Sequence, residues 1–168
     1  MVKQFDIYGG AADTSIKSVD YRRKIAMDIL SGAISRHDLS RMEKHAKLYY
    51  DAVRRRLGDI EKIAKNTGIA ASDIEKIRRH MFTNEYYLGD PEGNLERFAP
   101  DYDQSVSWQR LVEGKNIHEM DIVLLRHELM EYNLMRDGLS YDEAHTITNL
   151  TYNYGEYIDA LDRKAGLK

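Results

Sequence analysis

Apolar residues recur every three or four positions along most of the chain, a spacing that predicts one helix after another. A first helix starts near Asp13 or Thr14, turns Ile16, Val19, Ile25, Ile29 and Leu30 inward, and stops at Gly32. A second begins after Ser35 and runs to Gly58, and Asp59 is expected to cap a short third, IEKIAKNT, that ends at Gly68. Ser72 followed by Glu75 reads as a capping box for a fourth helix with Ile74, Ile77 and Met81 on one side. YDQSVSWQRLVEG forms a fifth that buries Val106, Leu111 and part of Trp108, and the turn GKNI leads to a sixth that carries RHELMEYNLM. Ser140 with Glu143 opens the last, from about 140 to about 163, with Ile147, Leu150, Tyr154, Ile158 and Leu161 as its stripe.

No stretch alternates apolar and polar residues for long enough to predict a strand. The expected fold class is therefore all-α: a compact multi-helix domain of about seven helices with an antiparallel C-terminal helical hairpin. Both prolines, Pro91 and Pro100, fall in residues 84–101, NEYYLGDPEGNLERFAPD, which read as a long loop. Long ordered loops in small domains are often functional, and this one is placed as a lid. One α-helical domain over residues 1–168 is expected, with residues 1–12 loosely held.

Composition narrows the chemistry. With no cysteine among 168 residues, disulfides, thiolate nucleophiles and cysteine zinc sites are excluded, so a metal would take histidine, carboxylate or water ligands. A net charge of −3 gives no global basic field for nucleic acid. No apolar run approaches the roughly 20 residues of a membrane-spanning helix, and none has the form of a signal peptide. The chain is expected to be made in a cytoplasm and to contact no membrane.

RHELMEYNLM opens like a zinc-peptidase helix, but Glu131 stands where the second histidine of H-E-x-x-H would be. Met120, Leu124, His127, Glu131 and Leu134 share one helix face, so an ionisable pair interrupts an apolar stripe and calls for a partner. The short turn RDGLS supplies one: Glu131 and His145 stand equally far from Gly138 on either side, and inward-facing they meet across the hairpin, with His127 one turn further down near Asn149. Three readings stay open. His127, Glu131 and His145 hold a divalent metal such as zinc while Glu128 activates water; or His127 or His145 is a direct acid or base fixed by Glu131; or the cluster ties two helices together. The catalytic candidates are thus His127, Glu128, Glu131 and His145.

His45, Tyr49, His80, Trp108, Arg110 and Tyr152 are the candidate substrate-binding residues, because histidine, tyrosine and arginine suit a polar or phosphate-bearing ligand. His37 and Asp38 look like a metal-binding pair but lack the other ligands that such a site needs. A second function class comes from residues 59–80, whose Ala64, Gly68 and Ile74 spacing resembles a helix-turn-helix flanked by Arg54, Arg55, Arg56, Arg78 and Arg79. That segment would serve a noncatalytic DNA- or protein-binding module, although Asp73 and Glu75 near the start of its second helix oppose phosphate contact.

Taken in order, HAKLYYDAVRR, IEKIAKNTGI, IRRHMF, SWQRLVEGKNI, DIVLLRHELME, the DEAH of YDEAHTIT and YNYGEY resemble the C-terminal domain of phage head-morphogenesis (minor head) proteins and related polymorphic-toxin proteins. The likeness covers about residues 44–157. It implies an effector or toxin-like domain at the end of a modular phage or secreted protein, delivered or secreted as part of it, with an immunity protein or a phage head protein as partner; the His/Glu site itself suggests hydrolytic or transfer chemistry.

Overall fold

The computed structural model describes residues 34–168, and the helix expected over 13–32 lies outside them. Seven helices follow: α1 (Leu39–Arg55), α2 (Asp59–Thr67), α3 (Ala71–Phe82), α4 (Tyr102–Glu113), α5 (Glu119–Arg136), α6 (Tyr141–Asn149) and α7 (Tyr154–Lys164). The described residues contain no strand, only a lone antiparallel bridge between Tyr86 and Glu96, and no helix among them is long and apolar enough to cross a membrane. The fold is all-α, as the periodicity predicts.

Three helix starts differ from expectation, and only the first gains a side-chain cap. α1 starts at Leu39 because the Asp38 carboxylate accepts the Arg41 amide, which makes Asp38 a cap. α3 starts at Ala71, so Ser72 lies inside its first turn and forms no capping box. Asp59 does not cap α2 either; Gly58 precedes the helix in a left-handed conformation, and the Asp59 carboxylate turns inward to the Trp108 indole N–H at 3.1 Å. The box at Ser140 and Glu143 is present in both directions.

The expected last helix is two helices. The α6 register ends at Asn149, and Asn153 restarts the chain by accepting the Glu156 amide on its side chain, so Leu150 is left 85% exposed instead of inward. This break frees the Tyr152 carbonyl to point at His127 on α5.

Trp108, Phe82 and Tyr50 sit at the centre of the core, with Phe82 edge-on to Trp108 at 5.0 Å and to Tyr50 at 4.6 Å. Around them Val53, Ile63, Ile74, Ile77, Leu111, Leu124 and Leu125 are wholly buried, each worth about 1.5–3 kcal/mol of transfer free energy. Gly114 ends α4 at φ 68°, and a Cβ there would come within 2.8 Å of the Asn66 side chain, whose amide donates to the Leu111 carbonyl. α3 and α4 both pack on α5, which carries the polar cluster.

Candidate functional site

Glu131 is the hub. It is 2% exposed on α5, and its two oxygens face different partners. Oε2 lies 2.7 Å from His145 Nδ1 across the hairpin turn and 3.4 Å from His127 Nε2 on the preceding turn of α5. Oε1 lies 3.0 Å from His80 Nε2, which α3 supplies. Burial opposes the carboxylate, but hydrogen bonds from His127, His80 and His145 outweigh it and hold Glu131 down at about 2.

Each histidine has a second contact that constrains its protons. His127 Nδ1 lies 2.7 Å from the Tyr152 carbonyl oxygen, an acceptor only, so Nδ1 must carry a proton and donate. Burial disfavours a charge on this ring, yet Glu131, Glu128 and the Tyr152 carbonyl together raise its pKa above the ordinary histidine value. His80 Nδ1 lies 2.7 Å from the Tyr86 hydroxyl, which also accepts from the Asn84 amide at 2.9 Å. The hydroxyl can donate to or accept from His80, and so serves either tautomer. His145 stacks at a tilt on Tyr141 and keeps 41% of its side chain exposed.

Glu128 lies on the same helix, 5% exposed, with Oε2 3.7 Å from His80 Nε2 and Oε1 3.4 Å from the Gln104 amide. Burial first, then the charge on Glu131, pushes its carboxyl up to about 8. Two carboxyls on one helix thus have pKa values driven to opposite sides of neutrality by their surroundings.

A cavity of about 260 Å³ opens beside these groups, lined among others by His127, Glu128, His145, Asp101, Gln104 and Asn149. It reaches the cluster from the α6–α7 side. Within the 84–101 loop, reciprocal 2.8 Å backbone bonds between Tyr86 and Glu96 set Tyr86 and Phe98 against the His80 ring.

The structure therefore brings together His127, Glu128, Glu131, His145 and His80, with Tyr152 contributing its backbone carbonyl. The other candidates make their contacts elsewhere. Trp108 is wholly buried and bonded to Asp59. Arg110 forms a two-pronged ion pair with the buried Asp121 at 2.8 and 2.5 Å. Tyr49 accepts from Arg56, and His45 is buried between Tyr49 and Tyr102 with neither ring nitrogen bonded among the described residues; burial lowers it to about 4 and keeps it neutral.

Three of the five arginines around the helix-turn-helix-like segment are also engaged internally. Arg78 donates to the Val53 and Arg56 carbonyls, Arg54 to the Phe82 carbonyl, and Arg56 pairs with Asp59. Arg54 and Arg78 close helix ends and Arg56 neutralises a buried carboxylate, uses that compete with phosphate contact.

Sequence reasoning does not identify Tyr86, Gln104 or Asp101 as neighbours of the site, nor does it join His80 to Glu131. His80 and Glu131 are 51 residues apart, and only the packing of α3 on α5 unites them. Comparison of the chain with protein-family models, curated proteins and solved structures gave no match.

Proposed function

We propose that the chain is an effector or toxin-like helical domain in which His127, Glu131 and His145 hold a divalent cation that assists hydrolysis. The observation that carries this reading is the His127–Tyr152 bond. With Nδ1 committed to the carbonyl, Nε2 of the neutral ring presents a lone pair to a carboxylate oxygen 3.4 Å away, and two acceptors face each other unless a proton or a metal ion lies between them. Ligands on one tetrahedral zinc stand about 3.3 Å apart, from bond lengths of roughly 2.0–2.2 Å. The His127 to Glu131 separation fits that spacing, while the 2.7 Å His145 contact is a direct hydrogen bond and opens by roughly half an ångström on coordination.

A cation here supplies a Lewis acid at the inner end of the cavity. The protein's part is to fix His127 through Tyr152, to hold Glu131 ionised, and to keep His145 at the solvent-facing edge where a substrate enters. The ordered phrases that resemble phage and polymorphic-toxin domains support the effector assignment, and the His/Glu cluster supports the hydrolytic one. A second reading rests on the 2.7 Å Glu131–His145 pair, which has the form of a carboxylate-oriented acid/base histidine.

The test is hydrolysis of model ester, amide and phosphodiester substrates by protein stripped with chelator and then given back zinc or manganese, beside Glu131→Gln. Activity that returns only with the metal and is absent in the variant is expected. Activity indifferent to chelation would give the site to the acid/base reading, and no hydrolysis of any substrate class would remove the hydrolytic one.

A further inference from the structure

The polar cluster holds more ligand atoms than one cation uses. His80 Nε2, a Glu128 oxygen and a Glu131 oxygen form a second convergent group, all three residues buried and the atoms within 4.8 Å of one another. It meets the first group only at Glu131. There the division is clean: Oε2 faces His127 and His145, and Oε1 faces His80. A carboxylate whose two oxygens point into two separate nitrogen-bearing groups has the arrangement of a bridge.

We infer that the site takes two divalent cations, one held by His127, His145 and Glu131 Oε2, the other by His80, Glu128 and Glu131 Oε1, with Glu131 bridging them. This rests on the cation reading above and deepens it. Three features support it. First, His80 Nε2 lies 3.0 Å from a Glu131 oxygen and 3.7 Å from a Glu128 oxygen, so donor atoms of three buried residues converge. Second, the Tyr86 hydroxyl can accept a hydrogen bond from His80 Nδ1–H, which leaves Nε2 available to ligate; this is the outer partner that metal-bound histidines have. Third, the charges come near balance. Two divalent ions bring four positive charges, and Glu131, Glu128 and Asp101 at the cavity wall return three. Carboxylate-bridged ions of this kind stand about 3.5–4 Å apart and clamp both oxygens of a displacement reaction. In this arrangement Glu128 is a ligand, and the general base expected from the sequence is not needed.

The alternative for His80 is that it only orients Glu131 by donating from Nε2, which leaves one cation per chain. Titration of metal-free protein with Mn2+, followed by electron paramagnetic resonance, separates the two. Two equivalents per chain, with the exchange-coupled spectrum of a close pair, are expected. In Glu128→Gln, a shape-preserving change, one equivalent with an uncoupled spectrum should remain. A single uncoupled equivalent in the wild type overturns the second site and leaves the single-cation reading intact, whereas no bound manganese and no bound zinc overturns both. The wild-type count decides by itself even if the variant does not fold.

Discussion

His127 donates its Nδ1 proton to the carbonyl oxygen of Tyr152 across 2.7 Å, and that bond decides what the opposite nitrogen can do. The carbonyl is available only because the chain breaks between α6 and α7. A helix running unbroken through residue 152 would have spent that oxygen on its own ladder. The break in the helix is therefore what puts a proton on Nδ1 of His127.

Of the proposed ligands, His145 is the one whose loss should leave the fold intact. It is the most exposed of the three histidines, and Glu131 keeps His127 and His80 as partners when it is removed. His145→Ala should lower zinc or manganese affinity by at least about tenfold while changing stability by less than about 1 kcal/mol. Calorimetric titration and thermal unfolding of the same preparation check the two effects.

Glu128 gives the metal-free protein a particular pH dependence. A carboxyl raised from its ordinary 4.5 to about 8 keeps its proton in the folded state while the unfolded chain releases it. The folded state then binds more protons across that window, so this group's contribution to stability falls as pH rises from about 4.5 towards 8. Every tenfold by which folding tightens proton binding to this carboxyl corresponds to at most about 1.4 kcal/mol of stability lost by pH 8. Glu128→Gln should flatten the dependence of the unfolding midpoint on pH over this range and raise the midpoint at pH 8 in the presence of chelator. An unchanged slope would show that Glu128 is not held protonated.

Glu131 and His127 act in the opposite and the same sense respectively, which makes the low-pH side informative. Glu131, held at about 2, stabilises the fold above its ordinary 4.5 and loses that contribution as pH falls towards 2. His127, raised above 6.5, stabilises below 6.5 and loses its contribution as pH climbs through its folded value. Glu131→Gln should therefore reduce stability more at pH 6 than at pH 3, as measured by urea unfolding at the two pH values.

Much of this arrangement is legible in the sequence, and the reasons are local. Gly68, Gly114 and Gly138 mark helix ends because each adopts a left-handed conformation that other residues avoid. Glu131 and His145 are equidistant from Gly138, so the short turn alone brings them together. The signal for the break after Asn149 is present too: Asn153 followed by Glu156 is an N-terminal cap, hidden by an apolar spacing that continues through Leu150 and Tyr154. What no local pattern contains is His80 against Glu131, or Trp108 against Asp59. Both are products of tertiary packing between distant helices, and residue type alone makes Trp108 and Arg110 look like ligand-binding groups.

Arg110 tests that distinction. Its guanidinium neutralises Asp121, whose carboxylate is wholly buried at the start of α5 and also accepts the His118 amide. Removing one member of such a pair typically costs about 3–5 kcal/mol, because the other charge is left buried and alone. Arg110→Ala should lower the free energy of unfolding by about that amount and leave cation affinity, measured where the variant is folded, within about twofold of the wild type. A selective loss of ligand binding with stability unchanged would return Arg110 to the site.

The measurement that tests the cation centre most directly is calorimetric titration of the metal-free protein with zinc near pH 6.5, repeated in buffers of different ionisation enthalpy. It counts the protons released on binding. A cation that replaces the proton between His127 Nε2 and Glu131 must expel protons, so saturable binding with net release of one proton or more is the predicted result, lost in His127→Ala. Absence of binding, or binding that releases no proton and survives that substitution, would contradict a cation centre at these residues.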